Sequence, residues 1–328
     1  MSLSCSTVMA CWEPPEEPPV ADADGLVVVE AGSCPDQDGI VPPEQVEESD
    51  DDEDSEEEFE KVLKDLWPLQ KLEARLADLN RTHGHESLAG RRLAVLLTTG
   101  AMNPPHLGHT GLLQQAATRL REAGFDVTAA WLSPSHDGYV QPKARKLGTI
   151  GLSSAFRLEA ARRAVRNDSV LDVACWEAKK PGRWPDFPEV AVALQRKLRK
   201  MQKVWNLSND FKVFYACGTD HAATNGLFRG LLPERGLGVV VVPRAGDAVH
   251  PEAPDKSVFV AQSVKGEGAT FSSTLVRSAF EAKQAGPVVK RSVSRDAADF
   301  LLRPTREEFL MFPDDFVKLG IAEPAPAP

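Results

Sequence analysis

Between residue 91 and about residue 286, short apolar runs alternate with stretches of helical period. "RRLAVLLTTG", "FDVTAAWLSP", "VLDVACWE", "FKVFYACG", "GLGVVVVPRAG" and "SVFVAQSV" read as strands. Their nearly continuous apolar character suits strands covered on both faces. "HTGLLQQAATRLREAG", closed by Gly124, "SSAFRLEAARRAVRN", "PEVAVALQRKLRKMQKVW", a short segment from Asp220, and "SSTLVRSAFEAKQAG" read as helices. "REEFLMFPDDFVKLG" adds one or two more. This alternation specifies an α/β fold built on a doubly wound parallel sheet, with its ligand crevice at the carboxyl ends of the strands. The chain shows no internal repeat.

Charge divides the chain. The formal net charge is −10, yet residues 1–60 hold 20 Asp and Glu and no Lys or Arg, which leaves 28 acidic against 38 basic residues in the remainder. A segment so dense in like charge, with so little apolar surface, cannot offset its ordering entropy, so residues 1–60 are expected to be a disordered acidic tail. Ser49 and Ser55 each precede acidic runs of the kind an acid-directed kinase reads. "FEKVLKDLWPLQKLEARLADLNR" is helical in pattern around Pro68, giving a helical linker over 61–90 that packs on or leads into a domain spanning 91–320. The basic domain suits an anionic ligand, phosphates first. The basic residues Arg196, Lys197, Arg199, Lys200 and Lys203 fit a solvated helix face better than a nucleic-acid site. No C-x-x-C pair occurs among the five cysteines, no presequence pattern opens the chain, and no run approaches a membrane span. These features fit a soluble cytoplasmic or nuclear protein and leave the oligomeric state open.

The chemistry concentrates at two places. "GAMNPPHLGHTGLL", residues 100–113, follows the first strand. Gly100 permits a turn, Pro104 and Pro105 stiffen it, and His106 and His109 share one face if a helix begins near 106. Gly108 keeps that turn clear of a side chain, and free N–H groups with the positive end of the helix dipole face the same way. "TFSSTLVRSAF", residues 270–280, repeats the idea: Ser272 or Ser273 caps a helix and Arg277 lies one turn on. Each stretch has a bland reading as a capped helix. Together they describe two helix starts that can grip one phosphate chain.

"HxGH" after a strand with a late "SSTxxR" resembles the HxGH nucleotidyltransferase superfamily. "SPSHDGYVQPKARKLGTIGLSSAFRLEAARRAV", "CWEAKKPGRW", "YACGTDH", "GLFRG" and "VVPRAG" follow in the order of the motifs of nicotinamide/nicotinate mononucleotide adenylyltransferases, from about residue 93 to about 285. The resemblance implies a Rossmann-like domain that binds ATP and a pyridine mononucleotide and forms the dinucleotide and pyrophosphate. It implies that His106 and His109 contact ATP phosphates, with His109 at the reacting α-phosphate, and that Ser273, Thr274 and Arg277 hold the β- and γ-phosphates. Gly100, Asn103 and Gly108 would line the ATP site, and Gly218 and Asp220 would sit at the adenosine ribose or near the metal. Trp176 would stack on the pyridine ring, Glu177 would support its loop, and Phe228 would take a second stacking position where the family has Trp. Tyr139 and Arg244 would also belong to the mononucleotide side, where either Lys143 or Lys146 would meet the phosphate. Mg²⁺ would arrive mainly on ATP phosphates, with no protein metal cage.

Such chemistry asks for little else. A phosphate monoester has a second pKa of about 6 and is already a nucleophile at neutral pH, so no general base is needed. Alignment and charge neutralisation remain. The departures from the family pattern are Ala101 and Met102 in the first motif, Pro185 in the loop after the second Trp, and Phe228; the mononucleotide-side motifs are the looser ones. Another phosphorylated acceptor, or a nucleotide-binding scaffold whose acidic tail recruits a partner, are the competing readings. His221 beside Asp220 reads as a local variation at a helix start, His83 and His85 as a polar linker, and Cys175 and Cys217 as buried strand-end thiols.

Overall fold

The computed structural model describes residues 66–83, 90–207, 210–248, 250–263 and 271–325. The expected tail 1–60, with Ser49, Ser55 and three cysteines, lies outside the described residues, as does His85. Six strands form one sheet in the order β3-β2-β1-β4-β5-β6, every neighbouring pair parallel. They are β1 (Leu93–Gly100), β2 (Asp126–Pro134), β3 (Leu171–Val173), β4 (Lys212–Gly218), β5 (Gly238–Val242) and β6 (Val258–Val260). Central residues such as Leu93–Leu97 and Val239–Val241 are buried whichever way they point, which only a sheet covered on both faces explains. The fold is α/β and Rossmann-like, as the alternation of apolar and helical stretches implies.

The strand order reverses between β1 and β4. In such a sheet the crevice lies outside the carboxyl ends at that point, and there the chain leaves β1 for α2 (Leu107–Glu122) and β4 for α7 (Thr219–Thr224). The other helices before the last strand are α1 (Gln70–His83), α3 (Asp137–Lys146), α4 (Ser154–Val165), α5 (Trp176–Lys179) and α6 (Phe187–Trp205). After β6 the chain is helical: α8 (Ser273–Glu281), α9 (Ala285–Ser292), α10 (Arg295–Leu302), α11 (Arg306–Met311) and α12 (Pro313–Lys318).

Three readings change. "VLDVACWE" pairs as a strand only over Leu171–Val173, because the Cys175 N–H turns away to the Leu66 carbonyl at 2.9 Å and Trp176 starts a helical turn. "DGYVQPKARK" is a helix despite Pro142, which sits in its second turn. Residues 287–302, given no element above, belong to two amphipathic helices, Ala285–Ser292 and Arg295–Leu302. These and the helices after them close a second apolar cluster, in which Phe156 of α4 meets the rings of Phe300, Phe312 and Phe316 at 5.0, 5.6 and 5.1 Å.

Helix α1 is part of the main core. Leu72 is fully buried, Leu76 and Leu79 follow on the same face, and the Trp131 indole N–H donates to Pro68 O at 3.0 Å. Among the described residues no helix is long and apolar enough to cross a membrane. Truncating a fully buried leucine removes its transfer energy and leaves a cavity. Leu72→Ala is therefore expected to lower stability by about 2–5 kcal/mol, measured by urea unfolding; an unchanged midpoint would mean that α1 does not contribute to the folded core.

Candidate active site

His106 is the N-cap of α2. Its Nδ1 accepts the Gly108 N–H at 3.0 Å, and the His109 Nδ1 accepts the His106 N–H at 3.1 Å, so the two imidazoles close a reciprocal capping box. The rings lie 3.9 Å apart, centroid to centroid. Gly108 is dictated by this arrangement: a Cβ there would fall 2.7 Å from His106 Cε1 and 2.8 Å from Nδ1. An imidazole that accepts at Nδ1 and is neutral carries its proton on Nε2. Burial keeps both neutral, pushing His106 down to about 2 and His109 down to about 4, and the nearby charge of Arg244 acts in the same direction on both. The pair is thus two Nε2–H donors without net charge.

The second helix start meets the first. Ser272 caps α8, accepting the Leu275 N–H, which frees the Ser273 hydroxyl to donate to Pro104 O at 2.8 Å. Arg277 donates through Nη1 to Asn103 O at 2.7 Å, through Nε to Thr149 Oγ1 at 3.0 Å and through Nη2 to Thr274 Oγ1 at 3.2 Å. A guanidinium has five N–H donors, so two remain beyond these bonds. The two coil-to-helix junctions, far apart in sequence, form one structure at the carboxyl edge of the sheet.

The Asn103 side chain is committed elsewhere. Its Nδ2 donates to Ile150 O at 2.7 Å and its Oδ1 accepts the Leu152 N–H at 3.0 Å. It holds the 149–153 loop, and its backbone carbonyl serves Arg277. Gly100 ends β1 and accepts the Ser135 N–H at 2.9 Å, joining the loops after β1 and β2. Gly218 precedes α7 and Asp220 is exposed in its first turn. His221 does more than vary a helix start. It lies within hydrogen-bonding reach of Tyr215 Oη, which pairs with Thr99 Oγ1 at 2.9 Å, and its ring packs edge-on against Phe187.

The expected mononucleotide side differs in two places. Trp176 is 1% exposed, with Trp67 stacked on it at 6.3 Å and the Lys180 ammonium 5.0 Å from its ring centre. So deeply buried an indole presents no open surface to a ligand ring. Phe228 is half-buried with His250 stacked on it at 4.0 Å, so one of its faces is also taken. Glu177 accepts from Ser133 Oγ at 2.7 Å, and burial raises its carboxyl to about 7. Tyr139 and Lys143 stand together on α3, Nζ to Oη 2.9 Å. Lys143 and Lys146 are both exposed. Arg244 is exposed in the loop after β5, close enough for its charge to reach both histidines.

A cytidylyltransferase-like family model matches residues 97–279, more than half of the chain. The chain belongs to the cytidylyltransferase-like family. Among curated relatives, a nicotinamide/nicotinic acid mononucleotide adenylyltransferase of Oryza sativa subsp. japonica is 30% identical over 138 residues, covering 40% of this chain and 48% of the relative. One of Arabidopsis thaliana is 27% identical over 166 residues, covering 48% and 64%. The chain therefore spans about half to just under two thirds of the relatives it matches. A structure of Plasmodium falciparum nicotinic acid mononucleotide adenylyltransferase complexed with APC aligns with TM-score 0.44 and 9% identity, covering 68% of this chain and 96% of that one.

In this cytidylyltransferase-like protein, sequence reasoning missed the residue that ties the loops together. Arg157 is fully buried. It donates to Ala101 O at 2.7 Å, Ser135 O at 2.7 Å, Leu152 O at 3.1 Å and Asp137 Oδ1 at 2.9 Å. It lies within a quoted motif, but no local pattern tells a buried guanidinium from a solvated one. Asp315 of α12 was equally hidden: it accepts the Ser153 N–H at 2.8 Å and hydroxyl at 2.6 Å, anchoring the 149–153 loop from behind.

The neutral histidines set a pH dependence. Unfolded imidazoles take up protons near pH 6.5, whereas folded His109 and His106 wait until about 4 and about 2. The unfolded state binds more protons in between, so this contribution to stability falls as pH drops from about 6.5. The His109 Cε1 proton is expected to titrate in NMR with a midpoint near 4; a midpoint near 6.5 would show an exposed, chargeable ring.

Proposed function

We propose that the protein is an adenylyltransferase that moves the adenylyl group of ATP onto the phosphate of nicotinamide or nicotinate mononucleotide, giving NAD or its deamido form and pyrophosphate. The observation that carries this reading is the junction of the two helix starts, Ser273 to Pro104 O and Arg277 to Asn103 O. The names of the rice and Arabidopsis relatives support the choice of acceptor.

In this reading the mononucleotide phosphate, already ionised, attacks the α-phosphorus. The bridging α–β P–O bond breaks and pyrophosphate leaves with the electron pair. Every step moves negative charge among phosphate oxygens, and the chain supplies fixed donors for them. His109 Nε2–H, with His106 beside it, donates at the α-phosphate. Thr274 and the two remaining N–H groups of Arg277 take the β- and γ-phosphates, with the N–H groups at the starts of α2 and α8, where Ser273 ties its helix start to Pro104. A site already organised in this way does not have to reorient during reaction. Gly218 and Asp220 border the adenosine ribose.

Mg²⁺ is the implied cofactor. Such an ion would be carried mainly on phosphate oxygens with its waters retained. When bound, it neutralises phosphate charge. We place the tail at 1–60, the helical segment whose α1 packs into the main core at 61–90 and the catalytic domain at 91–320, and the protein in the cytoplasm or nucleus.

Purified protein with ATP, Mg²⁺ and either mononucleotide is expected to release pyrophosphate and form the dinucleotide, and His109→Ala to lower kcat by about a hundredfold or more. Release with a different phosphorylated acceptor alone would replace the acceptor. Nucleotide binding without turnover against any acceptor would leave a scaffold.

A further inference from the structure

One buried polar chain beside the proposed reaction centre has no part in the phosphate chemistry. Tyr215 of β4 is 2% exposed, and its Oη lies 2.9 Å from Thr99 Oγ1 and 3.3 Å from His221 Nε2. His221 Nδ1 in turn lies 3.4 Å from Asn225 Nδ2, which also donates to the His221 carbonyl at 2.9 Å. Phe187, the first residue of α6, stacks on the phenol at 4.9 Å and meets the imidazole edge-on.

The donors in this chain run one way. The bond to the His221 carbonyl fixes Asn225 Nδ2 as a donor, so the Nδ1 beside it accepts, and a neutral imidazole then carries its proton on Nε2. Burial holds the His221 ring below its ordinary range, against the pull of Asp186, and so favours the neutral form. Its Nε2–H donates to Tyr215 Oη, and the phenol O–H donates to Thr99 Oγ1. The Thr99 hydroxyl accepts this bond and turns its own proton away from the chain. Thr99 is half-buried at the carboxyl end of β1, directly before Gly100, and among the described residues its hydroxyl has no second partner.

The strand connections fix the side of the sheet on which this donor stands. From β1 through β2 to β3 the chain steps one way along the sheet, and from β3 to β4 it steps back. Right-handed crossovers therefore put α6 on the face opposite α2 and α4. Tyr215 packs under α6, so Thr99 meets the crevice from the side opposite His106 and His109. We propose that the Thr99 hydroxyl, aimed by Asn225, His221 and Tyr215, donates a hydrogen bond to an oxygen of the acceptor mononucleotide. Thr99 touches the substrate, and the other three are positioning residues whose aligned bonds strengthen the last donor. This assignment rests on the reading of the protein as a pyridine mononucleotide adenylyltransferase.

Thr99→Val keeps the shape of the side chain and removes the donor. In steady-state assays it is expected to raise the KM for nicotinamide or nicotinate mononucleotide about fivefold or more and leave the KM for ATP unchanged. Thr99→Ser restores the acceptor KM. Tyr215→Phe leaves the Thr99 hydroxyl undirected and raises the acceptor KM in the same sense. An acceptor KM unmoved in Thr99→Val, or one that rises together with the KM for ATP, overturns the assignment while leaving the adenylyltransferase reading intact. Two further measurements need no turnover. Nitrogen-15 NMR of the full chain at neutral pH is expected to show His221 neutral with its proton on Nε2; a proton on Nδ1 or a charged ring overturns the relay. Calorimetric titration of each mononucleotide is expected to show weaker binding by Thr99→Val than by wild type. That result sustains the assignment even if no dinucleotide forms and the catalytic reading has failed, whereas equal affinity, or no binding by the wild type, overturns it.

Discussion

Arg277 donates to the Asn103 carbonyl across 174 positions of sequence, and most of the site's geometry depends on that bond. It joins the loop leaving β1 to the first turns of α8, while Ser273 makes a second bond one residue along, at Pro104. Without them the two helix starts would be separate capped ends, each an ordinary solution to unsatisfied N–H groups. Joined, they present their donors from two sides of one space. The same guanidinium reaches Thr149, so the 149–153 loop is fixed by the residue that fixes the junction.

Behind this junction lies a layer of buried polar groups that is costly unless complete. Taking a guanidinium from water costs several kcal/mol in effect, and Arg157 offsets it with carbonyls from three loops and the Asp137 carboxylate. Asn103 and Asp315 complete their sets in the same way. Each therefore works as a positional constraint: losing one loop from the set would strand a buried donor or acceptor, so the loops move together or not at all. The Phe156 cluster stiffens this layer from the far side, because α4 carries both Phe156 and Arg157 and α12 carries both Phe316 and Asp315.

What the sequence revealed follows from how local each device is. The capping box of His106 and His109, the bare turn at Gly108 and the Ser272 cap involve residues within four positions of one another. Period and spacing expose them directly. The alternation of strands and helices is legible because buried parallel strands need continuous apolar runs. Pro142 concealed α3: proline argues against a helix interior, yet here it costs one bond to the Gly138 carbonyl near an exposed end. The end of β3 was illegible because Cys175 bonds outside the sheet, to Leu66. Trp176 shows the limit of a motif. Residue type and spacing match the pattern, but the stacking of Trp67 on it comes from the segment before α1, far from the match.

The charge in this site is arranged so that the histidines carry none of it. Two protonated imidazoles 3.9 Å apart would repel each other and the nearby Arg244, and burial would deepen the penalty. Neutral rings avoid that cost and still donate, because each Nδ1 is already spent on a backbone N–H. The positive field is left to Arg244, Arg277 and the helix starts. A phosphate chain entering such a site meets donors whose number and direction do not change between about pH 5 and 8. Gly108 is the condition for all of it, since only there can the His106 ring fold back over its own helix start.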